Sequence, residues 1–133
     1  RPMAFGSLKP IDSKSHPTVF FGLPGNPVAV MVTFYQFVRN ALLELNGAKN
    51  PQVPLISVQS ADQIRKKSGR TEFQRGILFR NTDGKLAVKI TGSQGAGILR
   101  SMSEANCFII LHHDQGNINP GDWVDVEIFD GLL

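Results

Sequence analysis

The sequence predicts an α/β plus all-β chain, in which a strand and a helix of an α/β layer are followed by a small β-barrel or β-sandwich domain. Two observations predict this division. The first part passes from a short β-branched and aromatic run into apolar residues spaced three and four apart, the pattern of a strand that leads into a helix. The second part contains five strand-like runs separated by glycine and proline turns.

The strand of the first part is predicted at Thr18–Phe21, where the run TVFF ends at a glycine and is typical of a buried strand. Asn26 is a favourable N-cap and Pro27 is a favourable first helical residue. The apolar stripe that follows extends to Gly47 and comprises Val30, Phe34, Val38, Ala41 and Leu45. Other apolar residues lie off this stripe, so we predict one long helix that is covered on more than one side.

A linker of glycine, asparagine and proline, GAKNPQVP, occupies residues 47–54. We therefore place the domain boundary near residue 50, with residues 1–50 in the α/β part and residues 51–133 in the β-rich part. The last predicted strand, WVDVEIF, alternates between a fully apolar face and a mixed face, as barrel strands do. The five predicted strands are Leu55–Gln59, Thr71–Arg80, Lys85–Ile90, Asn106–His112 and Trp123–Phe129.

The composition is that of a soluble globular chain, with 41% hydrophobic and 19% charged residues. No apolar run approaches the roughly 20 residues that cross a bilayer, so we expect no membrane partner. The formal charge of +3 is too small an excess to indicate nucleic acid, and it weakly favours an anionic ligand. The single cysteine, Cys107, stands among apolar residues, so we expect a buried thiol and a cytoplasmic location. Adjacent His112 and His113 point to opposite faces of a strand and cannot share a metal ion, and we expect no metal ligands in this chain.

The segment Gly22–Pro27, GLPGNP, connects the predicted strand to the predicted helix. A helix N-terminus carries free N–H groups and a positive dipole end, and this one faces the sheet edge where open α/β sheets bind ligands. Gly22 and Gly25 permit close backbone approach, while Pro24 and Pro27 stiffen the loop. The loop is therefore a candidate oxyanion site, and a rigid connection that binds nothing is the alternative.

Several short motifs occur in order along the chain: GLPGNPV with Thr33-Phe34, R-x-E-F-x-R-G at residues 70–76, Gln94-Gly95, Ala105-Asn106 and Gly121-Asp122-x-Val124. In this combination the chain resembles the C-terminal part of the molybdopterin molybdenumtransferases, the MoeA/gephyrin family. The resemblance implies that residues 1–50 end a molybdopterin-binding α/β domain and that residues 51–133 form the C-terminal β-rich domain. Because the chain opens at Arg1 in mid-pattern, we expect it to be a fragment of such a protein.

The resemblance also implies an activity for the parent protein. Family members take adenylylated molybdopterin and molybdate as substrates, use a divalent cation such as Mg²⁺, and release AMP as they complete the molybdenum cofactor. A homodimer whose active site is shared between subunits is implied as well, with small molecules rather than nucleic acid as partners. The family's acidic metal ligands and active-site lysines lie outside this sequence, so we expect Mg²⁺ to be bound elsewhere in the parent and the isolated chain to be inactive.

Site residues follow from the same resemblance. Arg75 matches an active-site arginine, and a planar guanidinium holds an oxyanion with two parallel hydrogen bonds. The alternative is a solvent-facing strand residue paired with Glu72 or Asp83. The loop implied to border the pterin-nucleotide pocket comprises Gly22, Leu23, Pro24, Gly25, Asn26 and Pro27.

A second substrate-binding segment is implied at Gln94, Gly95 and Ala96, where family members often carry Gln-Gly-Ser. Alanine at position 96 removes a hydroxyl donor, so the amide side chain of Gln94 and the backbone N–H groups would remain to contact an anion.

Two other functions stay open at this point. The C-terminal domain could be a non-catalytic scaffold that binds partner proteins, as family members fused into larger assemblies suggest. The basic segment Arg65-Lys66-Lys67, with Arg70, could bind nucleic acid, although a solvated loop between strands is the preferred interpretation. We also expect the long helix to be less ordered than the β-rich domain, because part of its sheet lies outside the sequence.

Overall fold

The computed structural model describes residues 3–12, 15–49, 52–92 and 102–129. Its contacts divide the chain into two compact units, Arg1–Gln52 and Val53–Leu133. We call them the N-terminal unit and the barrel unit.

The N-terminal unit contains two antiparallel strands, β1 (Ala4–Leu8) and β2 (Thr18–Gly22). The sequence predicted β2 and missed β1, whose run AFGSL is short and interrupted by a glycine. The prediction that β2 is a buried strand is wrong, because it pairs with β1 in a two-stranded sheet and Phe20 is 45% exposed. Two strands cover too little of each other to bury an apolar face.

A helical run from Pro27 to Leu45 follows the strands. It consists of a first α-helix, α1 (Pro27–Thr33), a π-helical turn (Phe34–Val38) and a second α-helix, α2 (Arg39–Leu45). The predicted helix and its cap are confirmed, since the Asn26 side chain accepts hydrogen bonds from the first turn. The π-helical turn was not predicted, because apolar spacing over so short a stretch does not distinguish i→i+5 from i→i+4 hydrogen bonding.

The prediction that this helix is covered on more than one side is wrong for the structure. Thr33 and Val38 are buried, but Phe37, Leu42 and Leu45 are 56%, 41% and 64% exposed. The helix therefore presents more apolar surface than its surroundings cover.

By length and apolar composition alone, the run Pro27–Leu45 could cross a bilayer. The prediction that no apolar run approaches the length of a membrane span is therefore wrong, because Arg39 and Glu44 are the only charged residues between Pro27 and Leu45. This sign is weak by itself, since core helices of soluble proteins share the same length and composition.

The barrel unit is a closed five-stranded barrel with the strand order β3-β5-β4-β6-β7, which confirms the predicted small β-rich domain. The barrel closes where β3 pairs with β7, and β3 with β5 is its parallel pair. All five predicted strands are present, with ends displaced by no more than one residue. They are β3 (Ile56–Ser60), β4 (Glu72–Arg80), β5 (Leu86–Ile90), β6 (Cys107–Leu111) and β7 (Trp123–Ile128).

Alternate residues of each strand face the barrel interior and form its apolar core. The predicted apolar face of β7 is confirmed, since Val124 and Val126 lie in the core while Trp123 is 63% exposed on the other side. Cys107 is also a core residue, as predicted, and its burial raises the pKa of the thiol to about 11. A thiol that stays protonated at neutral pH is a poor nucleophile, so Cys107 acts as a small apolar side chain.

Candidate functional site

Strand β4 carries Arg75, the predicted oxyanion-binding residue. Its neighbour Gly76 points into the core, since a Cβ there would lie 2.8 Å from Ile109 Cγ1 and 2.9 Å from Val88 Cγ2. Arg75 therefore points to the outer face of the barrel. Despite this orientation the residue is only 2% exposed. Arginine is almost never buried this completely unless a partner or a function requires it.

Two further buried residues share the outer face with Arg75. In the strand register Arg75 lies opposite Phe108 on β6, and Phe108 lies opposite Glu127 on β7. Phe108 and Glu127 are 0% and 6% exposed. The Phe108 ring packs edge-to-face against Phe73 and Phe129, with ring centroids 6.4 and 4.7 Å apart. The barrel thus has a second cluster of buried side chains on its outer face, and this cluster includes two charged residues, Arg75 and Glu127.

The burial of Arg75 rules out the solvent-facing ion pair as an interpretation. Glu72 instead accepts a hydrogen bond from Arg70, with 3.1 Å between Nε and Oε1. Burial lowers the pKa of the Arg75 guanidinium from its ordinary value, because the charged form loses hydration. The backbone is held in place as well, since the Thr91 N–H donates to the Arg75 carbonyl oxygen at 3.1 Å.

Where the loop Gly22–Pro27 joins the helix, the backbone N–H groups of the first helical turn already have hydrogen-bond acceptors. Asn26 Oδ1 accepts from the N–H groups of Val28 and Ala29 at 3.0 and 3.3 Å, and the Asn26 carbonyl accepts from Val30 at 2.9 Å. Pro27 has no N–H to offer. The expectation that free N–H groups of the helix face a ligand is therefore wrong for this first turn. An anion at this loop would have to use the backbone that precedes Asn26.

Gly25 has no evident structural requirement within this loop. A Cβ at this position would meet nothing within 4 Å, and its φ is not positive. Gly22, by contrast, packs closely against β1, where a Cβ would lie 3.2 Å from that of Ala4. A glycine that neither contacts nor backbone angles require leaves open backbone surface, which is what close approach of a ligand needs.

The third predicted segment, Gln94, Gly95 and Ala96, lies outside the described residues. Of the adjacent histidines, His112 pairs through Nε2 with Asp125 Oδ2 at 2.8 Å. Within residues 3–12, 15–49, 52–92 and 102–129, no three histidine, cysteine or acidic residues come together as a metal site.

Sequence reasoning missed one buried cation. Lys66, interpreted as part of a solvated loop, is 7% exposed. Its ammonium donates to the backbone carbonyl oxygens of Lys67, Arg70 and Gln115 at 3.2, 2.9 and 3.1 Å. No local signal separates Lys66 from the cations beside it, because one of its acceptors lies 49 residues away in the sequence.

Comparison with known proteins shows the family of the chain. Residues 57–129 match the family described as MoeA C-terminal region (domain IV), and the match covers more than half of the chain. The chain belongs to this family.

Individual relatives match this chain over more residues than the family model does. The molybdopterin molybdenumtransferase of Haemophilus influenzae is 37% identical over 134 residues, which are 100% of this chain and 31% of that protein. Gephyrin of Dictyostelium discoideum is 36% identical over 114 residues, which are 80% of this chain and 16% of that protein. A solved molybdenum cofactor biosynthesis protein from Pyrococcus furiosus has a TM-score of 0.66 and 31% identity, and the match covers 82% of this chain and 38% of that one. The chain therefore spans well under half the length of these relatives.

Several of the motif residues that relate this chain to the MoeA family form hydrogen bonds or turns that stabilise the barrel. The Asn106 side chain accepts from the Leu78 N–H at 2.7 Å and donates to the Leu78 carbonyl at 2.9 Å. Gly121 has a φ of +92°, which favours glycine, and Asp122 Oδ2 accepts from the Asn119 N–H at 2.7 Å. Arg75 is different, because it places a guanidinium in a buried position, where the charged form loses hydration.

Proposed function

We propose that the parent protein of this MoeA-type chain inserts molybdate into adenylylated molybdopterin with release of AMP, the last step of molybdenum cofactor biosynthesis. The observation that carries the proposal is the 37% identity to the Haemophilus influenzae molybdopterin molybdenumtransferase over the whole chain. The name of the Pyrococcus furiosus structure gives the same biosynthetic context. The barrel fold alone would not carry it, since one fold supports many functions.

In this proposal Arg75 binds an oxyanion of the substrates. Molybdate and the phosphates of adenylylated molybdopterin are both anionic, and the guanidinium fork suits such groups. Burial strengthens an electrostatic contact of this kind, because little water competes for it. The lowered pKa is no obstacle, since a guanidinium stays protonated at neutral pH. The role does require that Arg75, 2% exposed in this structure, be uncovered where the parent assembles its site.

The loop Gly22, Leu23, Pro24, Gly25, Asn26 and Pro27 borders the pterin-nucleotide pocket in this proposal. The open backbone at Gly25 supports this assignment. Because Asn26 occupies the first-turn N–H groups, we assign the substrate contacts to the backbone that precedes it. The segment Gln94, Gly95 and Ala96 is proposed as a further set of donors to the anion.

The remaining parts of the proposal concern the parent protein. We assign its Mg²⁺ to residues outside this sequence and derive no step through the ion. We further assign a homodimer that shares the active site between subunits, and a cytoplasmic location that is in keeping with the buried, free Cys107. The 133-residue chain alone is expected to be inactive, and molybdate-dependent AMP release by it would contradict the proposal.

The test of the proposal is molybdate-dependent AMP release by the full-length parent and its Arg75→Ala variant. We expect kcat/KM to fall roughly a hundredfold, equivalent to about 2.7 kcal/mol of transition-state stabilisation. Arg80→Ala is the matched control, because Arg80 lies at the exposed end of the same strand and donates to the Gly84 carbonyl. Its activity is expected to stay within about twofold of the parent's.

A second variant keeps the test decisive if Arg75→Ala unfolds the barrel. Arg75→Lys retains the charge and the aliphatic stem but loses the two-pronged donor geometry, so we expect a folded and slow enzyme. Urea unfolding of each variant separates lost stability from lost chemistry. Unchanged AMP release in folded Arg75→Ala and Arg75→Lys proteins would contradict the catalytic role and favour the scaffold function, while family membership would stand.

A further inference from the structure

The barrel unit contains an open polar groove of about 560 Å³ beside the start of β4. Residues of the segment 63–72 line it together with Asn117, and every one of them is polar or charged. The volume is in the range of small-molecule pockets, roughly 300–1,000 Å³, but this lining does not suit an apolar ligand.

The groove rests on a hydrogen-bonded platform. The ammonium of Lys66 ties the segment 66–70 to the loop between β6 and β7, through the three carbonyl oxygens given above. The Lys66 N–H also donates to Asn117 Oδ1 at 2.9 Å. Ile64 and Ile118 add an antiparallel bridge, with both N–H to carbonyl distances at 2.9 Å. The cationic side chains of the groove therefore extend from a fixed backbone, which lowers the entropy cost of gathering them around a ligand.

Positive charge in the groove is poorly balanced. The hydrogen-bond acceptors of the Lys66 ammonium are neutral carbonyl groups, so none of them is a carboxylate that would balance a positive charge. Arg65 and Lys67 are exposed, and neither forms an ion pair with the described residues. Arg70 forms its ion pair with Glu72 through Nε alone, and its side chain is 76% exposed. The terminal N–H groups of the guanidinium can therefore donate to another acceptor. A cleft lined by one sign of charge concentrates ligands of the other sign.

The groove also accounts for the net charge of the chain. The sequence has 14 lysines and arginines and 11 acidic residues, of which four and one line the groove. Ten of each remain elsewhere, so the formal charge of +3 equals the excess in this one place. The excess is a local feature of the segment 63–72 rather than a diffuse basic surface.

We propose that this groove binds a soluble ligand carrying several phosphate groups. Arg65, Lys67 and Arg70 contact the phosphates directly, and Lys66 contributes a buried charge without contact, because its hydrogen bonds are already made. Three separate donors around one groove suit a chain of phosphates better than a single anionic group. This inference is independent of the proposed molybdenum chemistry and holds or fails without it.

Inorganic triphosphate is the probe for the experiment, because it carries the required charges without a base or a sugar that another surface could recognise. It is titrated into the 133-residue chain by calorimetry and by amide NMR. We expect saturable one-to-one binding that shifts the amide signals of residues 63–72 and of Asn117. The affinity should weaken as salt rises from about 50 mM to about 200 mM.

Matched variants locate the binding. Arg65→Gln with Lys67→Gln should weaken it by about tenfold or more, equivalent to about 1.4 kcal/mol. Lys49→Gln with Lys85→Gln removes the same charge from exposed positions outside the groove, and we expect affinity within about twofold of the original. Glu72→Gln should act in the opposite direction and tighten binding, because it removes the lining carboxylate and releases Arg70.

Three results would overturn the proposal. One is the absence of saturable binding. Another is an equal loss in both double variants, which would reduce the effect to general surface charge. The third is tighter binding of a short single-stranded RNA than of triphosphate, with a steeper salt dependence, which would show a nucleic-acid surface instead.

Discussion

The two units of the chain differ in how completely they cover their apolar residues. In the barrel unit Val88, Ile109 and Val126 are 0% exposed, whereas in the N-terminal unit Phe5 and Leu45 are 66% and 64% exposed. Both units contain strands rich in apolar residues, so composition does not explain the contrast. Closure does, because each barrel strand has two neighbours through the pairing of β3 with β7, whereas among the described strands β2 pairs with β1 alone. Within the described residues, the barrel unit therefore covers its core residues, and the N-terminal unit leaves large apolar side chains exposed.

The largest expected effect comes from truncating one apolar residue in each unit. Ile109→Ala should lower the free energy of unfolding of the barrel by about 3–4 kcal/mol, because it opens a cavity where no solvent enters. Leu45→Ala, at an exposed position of α2, should change the free energy of unfolding of the N-terminal unit by less than about 0.5 kcal/mol. Urea unfolding followed by the amide NMR signals of β6 for the barrel and of α2 for the N-terminal unit measures both.

A comparable loss in the two variants would break the contrast. It would mean that Leu45 is buried in solution and that the N-terminal unit has an apolar core of its own.

A smaller effect is expected when the same methyl group is added to a glycine of each unit. Gly76→Ala places a Cβ 2.8 Å from Ile109 Cγ1 and 3.0 Å from Cys107 Sγ, so overpacking should cost about 2 kcal/mol. Gly25→Ala meets nothing within 4 Å and should leave stability unchanged within about 0.5 kcal/mol. In the full-length parent, Gly25→Ala should lower AMP release without loss of stability, because the added methyl enters the proposed pocket.

Thermal or urea unfolding separates these outcomes. A stable Gly76→Ala barrel would show that β4 shifts to accept the methyl group. A destabilised Gly25→Ala protein would show that the loop is packed in solution, and Gly25 would then no longer support a ligand site.

The barrel was predictable from the sequence because its determinants are local. Each strand shows alternation or a β-branched run, and a positive-φ glycine, Gly84 or Gly121, marks a turn. Strand order and closure were not predictable, since register between distant strands leaves no mark on a single run. In the N-terminal unit the same local rules predicted β2 and the helix correctly. The predicted burial of these two elements was wrong, because burial depends on neighbouring layers.

The candidate site was predictable only in part. The motif resemblance singled out Arg75, but its burial depends on the pairing of β4 with β6 and could not be inferred from the run EFQRG. The free helix N–H groups were expected although the sequence already contained Asn26, whose side chain occupies two of them. The burial of Lys66 could not be predicted from the neighbouring cationic residues, because its hydrogen-bond acceptors come from two loops. Local patterns thus identify residue types, and tertiary contacts decide which of them are available to a ligand.

The smallest predicted effect tests whether the N-terminal helix depends on its cap. Asn26→Ala removes the acceptor of the Val28 and Ala29 N–H groups and should destabilise the start of α1 by about 1 kcal/mol. Amide exchange should become faster from Val28 through Thr33 and stay unchanged in β6. Asn26→Asp is the control, because a carboxylate restores the acceptor and favours a helix N-terminus, so its exchange should resemble that of the original chain.

Before any substitution, the residues from Val30 to Leu45 should already exchange faster than β6, because the helix lacks the covering that the barrel strands have. If the helix proves as protected as β6, and Asn26→Ala does not change that, the N-terminal unit is as stable as the barrel and the contrast between the two units fails.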